Sequence, residues 1–431
     1  MKKILAITII AAMALSVTAC GSSSDSSTTA SAESQETSAE ASSAFTPALD
    51  TDISATINVL GSWGNFEALV QVAIDFQEYY PNVEVVYSQM SDPHNDLANR
   101  CATGEDIDLF CIDWWNPEYA ESEGLMMDVS SVTNYAEDYD EAGIDLSNLD
   151  KELLKSGQLD DKQLLIPLYT TGYGYIVNLD IFEENNIEVP TNYEELKSCL
   201  AKLVEAGYET PLYVNSGHLG KSYTPLYIDK ILAGTDYETA FKECLAEEEA
   251  LLEAGYLNME GDTLDDNYEA LLLRFFEGDI PIVTASASTF SGAAKREAKS
   301  ETFQKSPFSY AYVPAVYDDS KAPYTMQLSD VYLGIYKDSK QLDLVNEFVR
   351  FMLQDDEMLT LQSIKHLPTA NINNGKDTFP YLQTDKATYC AATEGISVMD
   401  EQIFTDSVSA YEPGESTDAA MEIFTNFMEE N

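Results

Sequence analysis

The chain has 431 residues, 75 of them acidic against 23 basic, for a formal net charge of −52. Coulomb repulsion at that charge excludes nucleic acid and anionic lipid surfaces as partners, and leaves a neutral or cationic small molecule as the expected cargo. Most of the acids lie along stretches such as "ETAFKECLAEEEALLEAG" and read as the solvated face of helices.

"MKK" followed by the apolar run from Ile4 to Val17 has the basic start and short apolar core of a secretory signal, too short to span a bilayer comfortably. The run ends in "VTAC", Val17 to Cys20, which resembles the lipobox of bacterial lipoproteins. That resemblance implies that residues 1–20 are a lipoprotein signal peptide. It also implies that Cys20 is lipidated and anchors the chain at the extracellular face of the cell membrane. Two acyl chains suffice for this without a transmembrane helix. Residues 21–49 form the expected disordered tether: from 21 to 44 they are almost all Ser, Thr, Ala, Glu and Gly, with nothing able to build a core.

About 385 residues remain, ample for one core and long for it, so two lobes are expected. "ATINVLGSW" reads as a strand. A helix capped by Asn65 then carries Phe66, Leu69, Val70, Ala73 and Phe76 on one face and stops at Pro81. "VEVVYSQM" is a second strand, Pro93 starts a short helix ending near Gly104, and "IDLFCI" is a third strand. This β-α-β-α-β order implies a parallel sheet with right-handed crossovers, whose ligands bind beyond the carboxyl ends of the strands. Trp63 ends the first strand, and Trp114 and Trp115 end the third, so all three indoles of the chain stand at the edge of an expected cleft.

A second α/β unit begins around "LLIPLYTTGYGYIVNLDIF", and Thr191 with Glu194 forms an expected capping box for the next helix. "TPLYV" runs as a strand into Asn215 and Ser216, and "FFEGDIPIVTASAS" ends a strand at Ser286 and Ser288. "YAYVPAVY" and "VYLGIY" are further strands, and "LDLVNEFVRFML" is apolar at helical spacing.

Other chemistry is poorly served. Five cysteines follow Cys20 without metal spacing, and Cys101 with Cys111 is the one pair considered for a bridge. His94, His218 and His366 fall in no metal or nucleophile motif, and "NSGHLGKSYT" lacks the first glycine of a phosphate loop, having Asn215 there. No cofactor and no metal are expected, and no catalytic residue is assigned.

The order of segments resembles the family 1 extracellular solute-binding lipoproteins of bacterial ABC importers, the group that includes maltodextrin- and oligosaccharide-binding proteins. The blocks that carry it are "FQEYYPNVEV", "ATGEDIDLFCIDWW", "DKQLLIPLYTTGYGYIVNLDIFEENNIEVPTNYEELKSCLAKL", "FFEGDIPIVTAS" and "YKDSKQLDLVNEFVRFMLQDDE". "TASAST" stands where an aromatic "GSW" is usual in the family. The resemblance implies an α/β fold of the bilobal periplasmic-binding-protein type II, two discontinuous lobes joined by a hinge at "IPLYTTGYG". Residues 50–166 with 305–335 would form one lobe, and 170–300 with 336–431 the other. It further implies a monomeric carrier, not an enzyme, that captures a sugar between the lobes and passes it to the permease subunits of an ABC transporter.

In such a cleft Trp63, Trp114 and Trp115 are expected to stack on sugar rings, and Asn65 and Asp113 to bond hydroxyls. Tyr169 and Tyr173 are expected to reach the ligand from the hinge, with Asn178 supporting it, and Asn215, Ser216, Ser286, Ser288 and Asp330 to complete the site. The same fold binding a polyamine through Asp113 and the indoles is the alternative reading. A secreted glycoside hydrolase is the remote one, since two carboxylates would suffice.

Overall fold

Two five-stranded sheets organise the chain. The computed structural model describes residues 45–430 apart from 63–65, 91–92, 114–119, 122–123, 133, 137–141, 264–266, 316–324, 327, 374–387, 390–403, 406, 412 and 415–416. β1 (Ala55–Ser62), β2 (Val83–Met90) and β3 (Leu109–Asp113) are parallel, with β1 between the other two. Helices Phe66–Phe76 and Pro93–Ala102 make the crossovers, as the apolar spacing requires. Side chains alternate across β3: Leu109 and Cys111 face one core, Phe110 and Ile112 the other.

A small hairpin of β4 (Gln158–Leu159) and β5 (Lys162–Gln163) leads into β6 (Ile166–Thr171). β6 joins the first sheet through β13 (Leu328–Ile335), which lies antiparallel between β3 and β6. After Gly172 alone the chain enters the second sheet as β7 (Tyr173–Asn178). The others there are β8 (Leu212–Tyr213), β9 (Leu257–Asn258), β10 (Ile282–Ser286) and β11 (Tyr310–Pro314), in the order β11-β7-β10-β8-β9. β8, β9 and β10 are mutually parallel, and β7 runs against β10 and β11. A separate two-residue pair joins β12 (Thr325–Met326) to β14 (Thr388–Tyr389).

These directions decide where the lobes meet. β6 leaves the first sheet at the end where β1 and β3 terminate, and β7 enters the second at the end where β8, β9 and β10 terminate. The carboxyl ends of both parallel sets therefore converge on Gly172. Its carbonyl accepts from the Ala287 N–H and from the Tyr312 hydroxyl, both at 2.8 Å. Gly174 has no room for a side chain, because a Cβ there would meet the Val313 carbonyl oxygen at 2.1 Å.

The segments are shared out differently from the expected lobe boundaries. β11, expected in the first lobe, is an edge strand of the second sheet. Helices Leu342–Met352 and Asp355–Lys365, expected in the second lobe, bury Val345, Phe348, Val349, Met358 and Leu361 against the first sheet. The chain then returns: Phe404, Val408, Tyr411 and the helix Asp418–Glu430 pack with the second.

Three local expectations are also corrected. Asn192, not Thr191, caps the helix Tyr193–Glu205: its Oδ1 accepts from the Glu195 N–H at 2.8 Å, and the Glu195 carboxylate takes the Thr191 N–H at 2.8 Å. Asn178 caps the helix Leu179–Glu184 at the end of β7 remote from the crossing, so it does not support the hinge. Cys101 and Cys111 are free thiols, because they belong to cores on opposite faces of the first sheet.

The segment before β1 is clamped to the first lobe. Glu347, fully buried, accepts from the Tyr80 hydroxyl at 2.5 Å, the Ala48 N–H at 2.8 Å, Arg350 Nε at 3.0 Å and the Tyr135 hydroxyl. Arg350 donates to the Thr46 carbonyl at 2.7 Å and covers the Phe45 ring at 4.3 Å. Phe45 packs edge-on against Tyr79 and Phe351.

Candidate functional site

Where the strand ends converge, the second lobe presents a continuous line of hydrogen-bonding side chains. It begins at Asp262, whose carboxylate accepts from the Ser216 N–H at 2.9 Å, the Ser216 hydroxyl at 2.5 Å and the Asn215 amide at 3.1 Å. A carboxylate only accepts, so the Asn215 nitrogen faces Asp262 and its Oδ1 is turned to His218 Nδ1, 3.1 Å away. The His218 ring lies flat on Tyr268, with centroids 3.4 Å apart and planes 13° from parallel. Burial and the charge of Lys221 hold the imidazole neutral, its pKa pulled down to about 3.

From Tyr268 the line continues through its hydroxyl to Thr289 Oγ1 at 3.3 Å, then to Ser286 Oγ at 2.7 Å and Ser288 Oγ at 2.9 Å. Ser286 also caps the short helix Ala287–Ser291 by accepting the Thr289 N–H. The Ser288 N–H donates to Thr171 Oγ1 at 3.0 Å, which carries the line to the last residue of β6 in the first lobe. Arg296, paired with Glu269 at 2.6 Å, holds the Thr289 carbonyl from behind at 2.7 Å.

The structure thus brings Asn215, Ser216, Ser286 and Ser288 to one edge, but gives them unequal freedom. Both polar groups of Asn215 and both donors of Ser216 are engaged by Asp262 and His218. Ser288 is only partly buried. Tyr173, at the start of β7, is 6% exposed beside the crossing. Tyr169 does not reach this edge; with no exposed surface it is part of the first lobe's core, alongside Leu168 and Val331.

Trp63, Asn65, Trp114 and Trp115 lie outside the described residues, as does Cys20. Trp63 directly follows β1, and Trp114 directly follows β3, at the converging end. Asp113 and Asp330 are described by their backbone alone. Asp113 pairs with Val331, next to Asp330, and Asp330 is the extra residue where the register of β13 against β6 jumps between Ser329 and Val331. Among the described residues no group of three or more His, Cys, Asp or Glu is arranged to hold a metal ion.

Sequence reasoning missed His218, Tyr268, Asp262 and Thr171. Asn215 and His218 stand three apart at the start of a helix, a spacing that could have suggested their contact; nothing local signals that Tyr268 will lie beneath the imidazole.

Beneath this edge lies one unusual group. Gly220 lets the helix Ser216–Lys221 press against Val408 and Glu248; a Cβ there would stand 2.7 Å from Val408 Cβ and 3.3 Å from Glu248 Oε1. Glu248 is fully buried, and neither oxygen has a hydrogen-bond partner among the described residues. Burial, with the nearby Glu249 charge, raises its pKa well above the ordinary carboxylate range and so favours the protonated carboxyl.

The fold has many relatives. The apo form of RafE from Streptococcus pneumoniae superposes with a TM-score of 0.61 at 18% identity, over 87% of this chain and 97% of that one. The GacH receptor of Streptomyces glaucescens gives 0.64 at 16% identity, over 88% and 98%. Maltose-bound T. maritima MalE3 gives 0.62 at 16%, over 88% and 100%. No curated relative matches the sequence. The family model for bacterial extracellular solute-binding proteins matches residues 61–359, more than half of the chain, from the end of β1 through β13. That match over more than half of the chain makes it a member of the bacterial extracellular solute-binding protein family.

Proposed function

We propose that the chain captures a neutral, hydroxyl-rich solute, an oligosaccharide or smaller sugar, between its lobes and delivers it to the permease of an ABC importer. In this reading it is held at the outer face of the membrane by a lipid on Cys20. The observation that carries the reading is the line from Asn215 to Ser288. It presents imidazole and hydroxyl groups without a free charge, and in the sequence tryptophans directly follow β1 and β3. Sugars are bound by that combination of apolar faces and neutral hydrogen-bonding groups. MalE3 in its maltose-bound form and RafE in complex with raffinose have this fold. Closure follows from the geometry: only when the lobes approach can a solute touch both sets of strand ends, so bound solute favours the closed form.

A second reading keeps the fold and changes the cargo. Asp113 and Asp330 stand one register step apart at the same end of the first sheet, and two carboxylates there would suit a polyamine. A thermal-shift screen over neutral oligosaccharides, polyamines and amino acids separates the two. A solute at a hundred times its Kd adds about 2.7 kcal/mol of stability. A shift with oligosaccharide supports the sugar reading, and a shift with spermidine alone overturns it.

A further inference from the structure

Three features invite a role beyond the proposed function. A cavity of about 420 Å³ at the opposite end of the first sheet is lined by Glu105, Asp106, Asp108 and Asp338. Asp108 is already satisfied there by the Asn58 N–H at 2.8 Å and the Ser339 hydroxyl at 2.5 Å, Asp106 by Lys340 and Glu105 by Arg100 at 3.2 Å, so these three carboxylates are committed within the protein. Glu248 is sealed from solvent. The stacked pair of His218 and Tyr268 is different, for it is partly open and its chemistry is fixed from one side only.

The orientation of the imidazole follows from its neighbours. Asp262 sets the Asn215 amide; the amide oxygen then requires a donor, and Nδ1 must carry the ring proton. In a neutral ring the other nitrogen, Nε2, is consequently an acceptor. One ring face is covered by Tyr268, and that phenol is itself held by Thr289, so the imidazole cannot swing without breaking both contacts. The relay runs from carboxylate to amide to imidazole and fixes both the protonation and the orientation of a half-buried ring. It presets a single acceptor at a single place.

We infer that His218 is a specificity-determining contact of the solute site, offering Nε2 to a hydroxyl donor of the solute, with Asn215 and Asp262 as the residues that position it. The inference rests on the sugar reading and extends it: the second lobe selects solutes that donate a hydrogen bond at this point and discriminates against those that can only accept. Because the ring stays neutral down to about pH 3, that preference persists across the physiological range.

The test has two parts on the mature protein. Long-range ¹⁵N correlation of the histidine rings, of which there are three, reads the tautomer directly. The Nδ1–H form is expected for His218 in the wild type, and Asp262→Asn is expected to scramble it; an Nε2–H tautomer in the wild type overturns the inference. Titration with maltose, raffinose and stachyose then compares three variants. His218→Gln keeps an acceptor at the Nε2 position, whereas His218→Asn keeps one only at Nδ1, and His218→Ala keeps neither. His218→Asn and His218→Ala are expected to weaken binding about tenfold, and His218→Gln by less than about threefold. If the wild type binds and all three variants bind equally well, the role of His218 is wrong and the sugar reading stands. If the wild type binds none of the sugars, the sugar reading fails and takes this contact with it.

Discussion

The N–H of Ser288 donates to the Thr171 hydroxyl at 3.0 Å, so the helix Ala287–Ser291, which follows a strand of the second sheet, is tied to the last residue of a strand in the first. Ala287 is buried in the first lobe's core. The link sits one residue from the crossing at Gly172. Thr171→Val keeps the shape and removes the acceptor. The variant should lose about 1 kcal/mol of stability, read as a lower urea midpoint, whereas Thr171→Ser should stay near wild type. Equal midpoints for all three proteins would show that the bond contributes nothing.

Gly261 should tolerate no side chain. A Cβ there would stand 2.3 Å from the Val214 carbonyl oxygen and 2.7 Å from Leu271, so Gly261→Ala must displace the turn that carries Asp262. We expect weaker solute binding together with a loss of about 1 to 3 kcal/mol, typical of overpacking. Wild-type affinity in a correctly folded Gly261→Ala protein would show that Asp262 need not be held where it is.

Glu248 makes stability depend on pH with a definite sign. Its folded-state pKa is raised, so above the unfolded value the native state holds a proton that the unfolded chain has lost. Stability is therefore fully present below about pH 4.5 and declines as pH rises toward the folded pKa, by about 1.4 kcal/mol per unit from this group. Glu248→Gln lacks the titration, and its stability should fall less steeply than wild type between pH 5 and 8 in parallel denaturation series. Parallel slopes would mean that the carboxyl finds a partner or solvent.

Truncating an indole that lines the site should cost about 2 kcal/mol of binding or more, roughly thirtyfold. Trp63→Ala, Trp114→Ala and Trp115→Ala should accordingly divide into variants that bind weakly with an unchanged melting temperature and variants that lose about 3 to 5 kcal/mol of stability through a core cavity. Solute should also change the intrinsic fluorescence. Normal binding by all three variants would remove the tryptophans from the site.

Cys20→Ser should release the protein from the membrane fraction, since nothing else in the reading holds it there. Retention of a full-length variant in washed membranes would refute the lipid anchor.

The order of elements was legible because it is local. Alternation in "ATINVLGSW" and helical spacing in "LDLVNEFVRFML" report which faces are buried, and both elements form as read. What that spacing cannot report is which core receives the face. The lobe of Leu342–Met352 is therefore not readable from its spacing, because Phe348 packs edge-on against Phe76, far away in sequence. Competition between neighbours explains the misplaced cap: Asn192 and Thr191 are both good caps, and the Glu195 carboxylate favours the later start by taking the Thr191 N–H. Strand ends identified Asn215, Ser216, Ser286 and Ser288, but a role depends on hydrogen-bond partners, and Asp262, His218 and Tyr268 reach them only through the tertiary fold.

The clamp formed by Phe45, Thr46 and Ala48 on Glu347 and Arg350 has a mechanical consequence. A pull on the chain at Phe45 passes through a buried carboxylate and an aromatic cluster into the first core, and reaches the second lobe only through the connections between the sheets. If the proposed lipid on Cys20 tethers the chain, the load enters through the first lobe, and the second lobe is the one left free of it. Tension applied at Phe45 would then load one core and not the junction between the two sheets.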